Sequence, residues 1–177
     1  MISLEFISHN NHPLLPSIQS IYEEAFPPEE KVDFSSLLSH KFTDDCAFKL
    51  YAILDKNETC GMLSIVEYTF FVFIYYLAIT PAKQGLGIGN KVLELIKKES
   101  TTPLILEVEH ATQDISKRRI EFYVRNGFHV NQYPYFQPAL HQHTDAVPMH
   151  IMSYPHALSE EDFLTVKTAL YEHVYCV

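Results

Sequence analysis

Three of the chain's five glycines fall at Gly85, Gly87 and Gly89. Glycine admits positive φ and lets a ligand approach the backbone closely. Free N–H groups at a helix start attract anions, so Gln84–Gly89 has the chemistry of a pyrophosphate cradle. An ATP-type P-loop would end in Gly-Lys-Ser/Thr, which Gly89-Asn90-Lys91 does not supply. A dinucleotide fingerprint needs a third glycine where Asn90 stands. A glycine-rich connector without a ligand is the plain alternative.

Two carboxylates, Glu107 and Glu109, have the same strand parity and so share a face. Either could act as a base or simply hold a cation, and a solvated strand end would look the same. Tyr123 could donate a proton, or pack beside Ile120 and Val124 on one helix face. His110, next to these carboxylates, could relay a proton. His141 and His143 alternate in a loop as zinc ligands sometimes do, but no further ligand set accompanies them, so no metal is expected. Cys46, Cys60 and Cys176 are odd in number and form no CxxC pair, so they read as reduced, structural thiols.

The elements that must position these groups follow from periodicity. Ile2, Leu4 and Phe6 alternate with polar residues and predict a strand. Ile18, Ile21, Tyr22 and Ala25 repeat at helical spacing, and Pro27-Pro28 ends that helix. A second short helix is expected over about Glu29 to His40. Ala47–Leu54 and a strand from Thr59 form a hairpin around Asp55-Lys56-Asn57. Tyr68–Thr80 reads as one central strand. Ile88, Val92, Leu95 and Ile96 mark one face of a helix, with Lys97 and Lys98 at its C-terminal end. Leu104–Val108 is a strand. Asp114 is the expected N-cap of a helix ending at Asn126-Gly127. Phe128–Phe136 and Val147–Tyr154 are strands. Ser159 opens a final helix over about 159–174, whose apolar face carries Phe163, Val166, Leu170 and Val174. The whole reads as one α/β (α+β) domain over 1–177 with a mixed sheet.

Composition narrows the function classes. The net charge of -9 argues against general nucleic-acid binding and suits a cationic substrate. No apolar run is long enough to span a bilayer, and the N-terminus lacks a signal-peptide pattern, so no membrane partner and a cytoplasmic location are expected. The arginines Arg118, Arg119 and Arg125 all fall in one predicted helix.

Gln84–Gly89 resembles the acyl-CoA pyrophosphate loop, Q/R-x-x-G-x-G/A, of the GCN5-related N-acetyltransferase (GNAT) family. Tyr76–Pro81 is similar to that family's fourth strand, and Phe122-Tyr123-Val124-Arg125-Asn126-Gly127-Phe128 to its helix-to-strand ending. The resemblance covers residues 68 to 130 directly, and the element order extends it to the fold. It implies a mostly antiparallel mixed sheet flanked by helices, with the fourth and fifth strands parted in a V. Acetyl-CoA would be the co-substrate and a small primary amine the acceptor, attacked directly in a ternary complex. Backbone groups near Leu77 and Ile79 would meet the pantetheine arm. Amides at Gln84, Gly85, Gly87, Gly89 and Asn90 would hold the pyrophosphate. Tyr123 matches the family's general acid, and Glu107 resembles the base of the branch that acetylates ribosomal-protein N-termini. Ser116 stands where many members have an asparagine that bonds to the cofactor arm. Arg118, Arg119 and Lys83 are candidates for the 3′-phosphate. A module that binds acyl-CoA without turnover fits the same loop. The protein would act as a monomer or homodimer.

Overall fold

The computed structural model describes residues 1–39, 46–141 and 145–177. Its centre is an eight-stranded mixed sheet, mostly antiparallel. The strands are β1 (Ile2–Phe6), β2 (Cys46–Asp55), β3 (Glu58–Tyr68), β4 (Val72–Ile79), β5 (Leu104–Glu109), β6 (His129–Val130), β7 (Tyr135–Gln137) and β8 (Val147–Tyr154). Spatial order is β1-β2-β3-β4-β5-β8-β6, with β7 also paired to β8. The helices are α1 (Leu15–Ala25), α2 (Phe34–Ser39), α3 (Ile88–Glu99), α4 (Asp114–Arg125) and α5 (Glu160–Leu170).

Strand alternation sorts the core into two faces. On one, Ile53, Leu63, Leu104, Leu106 and Val108 pack against Val92, Leu93 and Ile96 of α3 and Tyr123 of α4. The other face is shared. Leu50, Ala52 and Met62 meet Ile18 and Tyr22 of α1, while Phe73, Ile105 and Ile151 meet Phe163, Val166 and Leu170 of α5. The last helix thus closes the chain's own core with its apolar face. At the β2–β3 turn Lys56 and Asn57 both have positive φ, the two-residue hairpin geometry whose twist matches the flanking strands.

Five expectations are corrected. The helix over Glu29–His40 is a short 3-10 turn, Pro28–Glu30, followed by α2, and His40 lies outside the described residues. Tyr68–Thr80 is two strands' worth of chain. Tyr68 ends β3, and its N–H bonds the Phe71 carbonyl at 2.9 Å to close a tight turn that no Gly, Pro or Asn announces. Phe128–Phe136 divides into β6 and β7 around Asn131. That buried side chain donates to the Ile151 carbonyl and Ser153 Oγ, both at 3.0 Å, and accepts from the Leu158 N–H. Gln113, not Asp114, has the extended backbone of the N-cap, leaving Asp114 in the first turn facing the positive helix end. The final helix turns π-helical over Tyr171–Tyr175.

Candidate active site

β4 and β5 run parallel and pair only at Val72/Leu104, Phe73/Ile105 and Ile74/Leu106. Beyond these rungs β4 continues to Ile79 and β5 to Glu109 without pairing to each other. A cleft of about 1340 Å³ opens there, bordered by Tyr75–Ile79 on one side and by Leu106, Glu107 and Glu109 on the other. The Thr80 N–H bonds the Cys60 carbonyl on β3 at 2.9 Å. Strand alternation therefore turns the peptide groups of Leu77 and Ile79 away from β3, towards the cleft. Gln84 Nε2 donates to the Ile79 carbonyl at 2.9 Å, folding the loop back onto the strand end. The Leu77 groups and the Ile79 N–H remain turned to the opening.

The loop has the geometry an anion needs. Gly85 and Gly87 have φ of 76° and 73°, and a Cβ on either would meet nothing within 4 Å, so their outer face is open. Gly87 caps α3. The N–H groups of Ile88, Gly89 and Asn90 belong to the first turn, which has no internal acceptors, and Lys91 is the first to bond back, to the Gly87 carbonyl. Gly89 also serves packing: a Cβ there would come within 3.0 Å of Phe122 Cζ. The Asn90 side chain accepts from Asn126 Nδ2 at 3.0 Å and so ties α3 to the end of α4. Lys83, Arg118 and Arg119 also line the cleft, with Lys83 3.4 Å from Asp55. Backbone donors, a helix N-terminus and cationic side chains together fit a pyrophosphate with a further phosphate nearby.

Ser116 lies elsewhere. Its hydroxyl donates to the Gln113 carbonyl at 2.9 Å and accepts from the Gln113 N–H at 3.1 Å, a reciprocal clasp on the start of α4. It is buried and absent from the cleft wall.

Tyr123 and Glu107 both line the cleft. Burial lifts the Tyr123 phenol to about 12 against the opposing pull of Arg119, so it keeps its proton at neutral pH. Glu107 is enclosed by donors. Tyr135 Oη donates to Oε1, while Tyr175 Oη and Gln137 Nε2 donate to Oε2, the latter at 3.0 Å. Burial nevertheless raises the carboxyl above the ordinary carboxylate range, because the three hydrogen bonds only partly offset desolvation. Glu109 borders the cleft further along β5 and is half-buried.

Other aromatic and histidine side chains of the region are differently placed. Tyr133 packs on Phe163 of α5, and Tyr135 stands behind Glu107, so neither lines the opening; Phe136 also lies off its wall. The aromatic residues that do line it include Phe26, Tyr75, Tyr76 and Phe122. His110 stacks on His150 with centroids 4.1 Å apart. His141 Nε2 lies 2.9 Å from the Pro28 carbonyl and 2.8 Å from that of Lys31, joining the segment after β7 to the segment after α1. His143 lies outside the described residues. Among the described residues no group of three or more His, Cys, Asp or Glu is placed to hold a metal, and no helix is long and apolar enough to cross a membrane.

Residues 15–128 match the model of the acetyltransferase (GNAT) family. The chain belongs to this family. A GNAT-family structure from Bacteroides thetaiotaomicron is 27% identical, with a TM-score of 0.90 over 99% of both chains. YjbC of Bacillus subtilis (strain 168) is 30% identical over 118 residues, which are 64% of this chain and 60% of that protein. The acetyltransferase names of both relatives are provisional. A GNAT acetyltransferase from Elizabethkingia anophelis with acetyl-CoA bound shares the fold at 16% identity, with a TM-score of 0.56 over 86% of this chain and 96% of its own.

The family match ends at Phe128. Tyr135, Gln137 and Tyr175, which enclose Glu107, all lie beyond it. Sequence reasoning missed them because no spacing links a short strand and a helix end to a strand residue roughly 30 to 70 positions earlier. A tyrosine at the polar end of an otherwise apolar helix face was the one available signal.

Proposed function

We propose that this protein transfers an acetyl group from acetyl-CoA to a primary amine of a small molecule, with both reactants held in one cleft. The observation that carries the reading is the cleft itself, lined by an anion cradle, a protonated phenol and a half-buried carboxylate. We read the unpaired stretch between β4 and β5 as the V that takes the pantetheine arm. Leu77 and Ile79 would bond the arm's amides. Backbone amides at Gln84, Gly85, Gly87, Gly89 and Asn90 would hold the pyrophosphate, while Lys83, Arg118 and Arg119 offer charge to the 3′-phosphate. Ser116 has no place in this set, since its hydroxyl is engaged by Gln113.

Bound acetyl-CoA supplies an activated acyl carbonyl and a thiolate leaving group. The chain's residues supply the proton management. Alkyl amines are mostly protonated at neutral pH, so a base with an elevated pKa is well matched to the acceptor. Glu107 holds such a carboxylate at the cleft, and Glu109 offers a second on the same strand face. Tyr123 keeps a proton at Oη, available to a departing sulfur. Tyr75, Tyr76 and Phe26 wall the acceptor side and limit water.

One observation favours a second reading, a module that binds acyl-CoA without turnover: three donors already occupy Glu107. The two readings separate in sequence. Thermal unfolding with acetyl-CoA, ATP or NAD added singly tests the cradle; a ligand at ~100 times its Kd adds about 2.7 kcal/mol. Stabilisation by acetyl-CoA alone is expected, and none at saturation refutes the loop's role. Thiol release across a panel of small amines then tests transfer. Release with at least one amine supports the enzyme, and binding without release across the panel favours the module.

A further inference from the structure

Glu107 accepts three hydrogen bonds, and their distribution is uneven. A carboxylate offers about four lone-pair sites, two on each oxygen. Oε2 receives Tyr175 Oη and Gln137 Nε2, so both of its sites are filled. Oε1 receives Tyr135 Oη alone and keeps one site open. The donors also brace one another, since Gln137 Nε2 lies 3.0 Å from Tyr175 Oη. Glu107 and Gln137 border the cleft, whereas Tyr135 and Tyr175 do not. These two tyrosines therefore reach the cleft only through Glu107 and Gln137.

The chain goes out of its way to deliver Tyr175. α5 ends at Leu170, and the next five residues form a π-helical turn. Such turns are rare and concentrate at functional sites. Tyr171 Oη donates to the Phe136 carbonyl at 2.5 Å, anchoring the turn to β7. The Val177 N–H closes it on the Tyr171 carbonyl at 3.0 Å, after Cys176 adopts a left-handed backbone. The Glu107 charge in turn pushes up the pKa of further phenols, Tyr75 and Tyr76 from β4 and Tyr171 from the turn. No cationic side chain is among its hydrogen-bond partners among the described residues.

We propose that Tyr175, Gln137 and Tyr135 are positioning residues that fix Glu107 with a single open lone pair, on Oε1, so that the C-terminal turn is part of the acceptor site. This rests on the reading of Glu107 as the group that receives the amine's proton. The three donors hold the carboxylate in one rotamer and leave one direction from which a proton or an N–H can approach. They also oppose the desolvation that raises its pKa.

The test is the carboxyl titration of Glu107 in the free protein, followed by NMR with glutamate labelled at the side-chain carboxyl carbon. Glu107→Gln identifies the resonance by removing it. Tyr175→Phe deletes one donor and keeps the ring. The midpoint should then rise by about one pH unit, the worth of one hydrogen bond to a charged group. Gln137→Met, on another element, should shift it the same way. Tyr133→Phe, whose hydroxyl bonds the Leu158 carbonyl and does not touch Glu107, should move it far less. An unmoved midpoint in Tyr175→Phe and Gln137→Met, or an equal shift in all three variants, overturns the proposal. The readout needs no substrate. Thiol release by Glu107→Gln with an active amine judges the underlying reading separately: full activity there would reject Glu107 as the base while leaving the titration result intact.

Discussion

Gly87→Ala isolates the contribution of the loop's backbone conformation. Gly87 caps α3 with φ of 73°, and a Cβ there meets no atom within 4 Å. The substitution thus adds no clash, only the cost of an L-residue in the left-handed region, about 1–2 kcal/mol. For a chain of this length that lowers Tm by roughly 2–8 °C. If the peptide instead flips to relieve the strain, an N–H turns away from the anion. Loss of one hydrogen bond to a charged group weakens acetyl-CoA binding by about 10- to 100-fold. Thermal unfolding gives the first quantity and titration calorimetry the second. Leu86→Ala is the control, because Leu86 is 63% exposed and its truncation should stay within about 0.5 kcal/mol. Gly87→Ala with both Tm and Kd unchanged would refute the left-handed cap and the cradle built on it.

Tyr123→Phe should lower turnover by about 100-fold with acetyl-CoA affinity unchanged, measured by initial rates and calorimetry; unchanged turnover would exclude it as the acid. The Glu107 carboxyl is raised in the folded chain, so its stabilising contribution is complete below the ordinary carboxylate pKa and is lost as pH rises through the raised one. Urea melts of wild type and Glu107→Gln should therefore show the wild type losing ground to the variant as pH rises through that window, and a pH-independent difference would contradict the buried charge. Gly61→Ala should cost about 1–3 kcal/mol in thermal unfolding, because its Cβ would sit 2.4 Å from the Ala78 carbonyl oxygen, which the β3–β4 ladder holds in place.

The Gln84–Gly89 loop was legible because its signal is local. Glycines at 85 and 87 need positive φ, a helix follows, and both facts are written within a few residues. Gly89 looked the same and turned out to make room for Phe122. The shared strand face of Glu107 and Glu109 was also readable, from strand parity. What surrounds Glu107 was not, since Tyr135, Gln137 and Tyr175 meet it only after β7 joins β8 and α5 folds back over the sheet. The fold shows the same division. Long periodic elements matched, while the Tyr68–Phe71 turn and the break at Asn131 rest on hydrogen bonds that no local composition announces. Ser116 was a positional inference from a motif, and the hydroxyl's nearest partner, its own helix start, claimed it.

The parallel ladder between β4 and β5 has a mechanical consequence. β1–β4 form one antiparallel plate and β5–β8 another, and the plates are joined by three rungs, whereas β2 and β3 share register along almost their whole length. The joint is a compliant seam between two stiffer plates. Side chains clamp it: α3 and α4 bridge both plates on one face and α5 on the other. The width of the opening is then governed by core volume at residues such as Val92 and Ile105 rather than by backbone hydrogen bonds. Enlarging or trimming those side chains would act as a spacer, altering the gauge of the cleft without touching any residue that lines it.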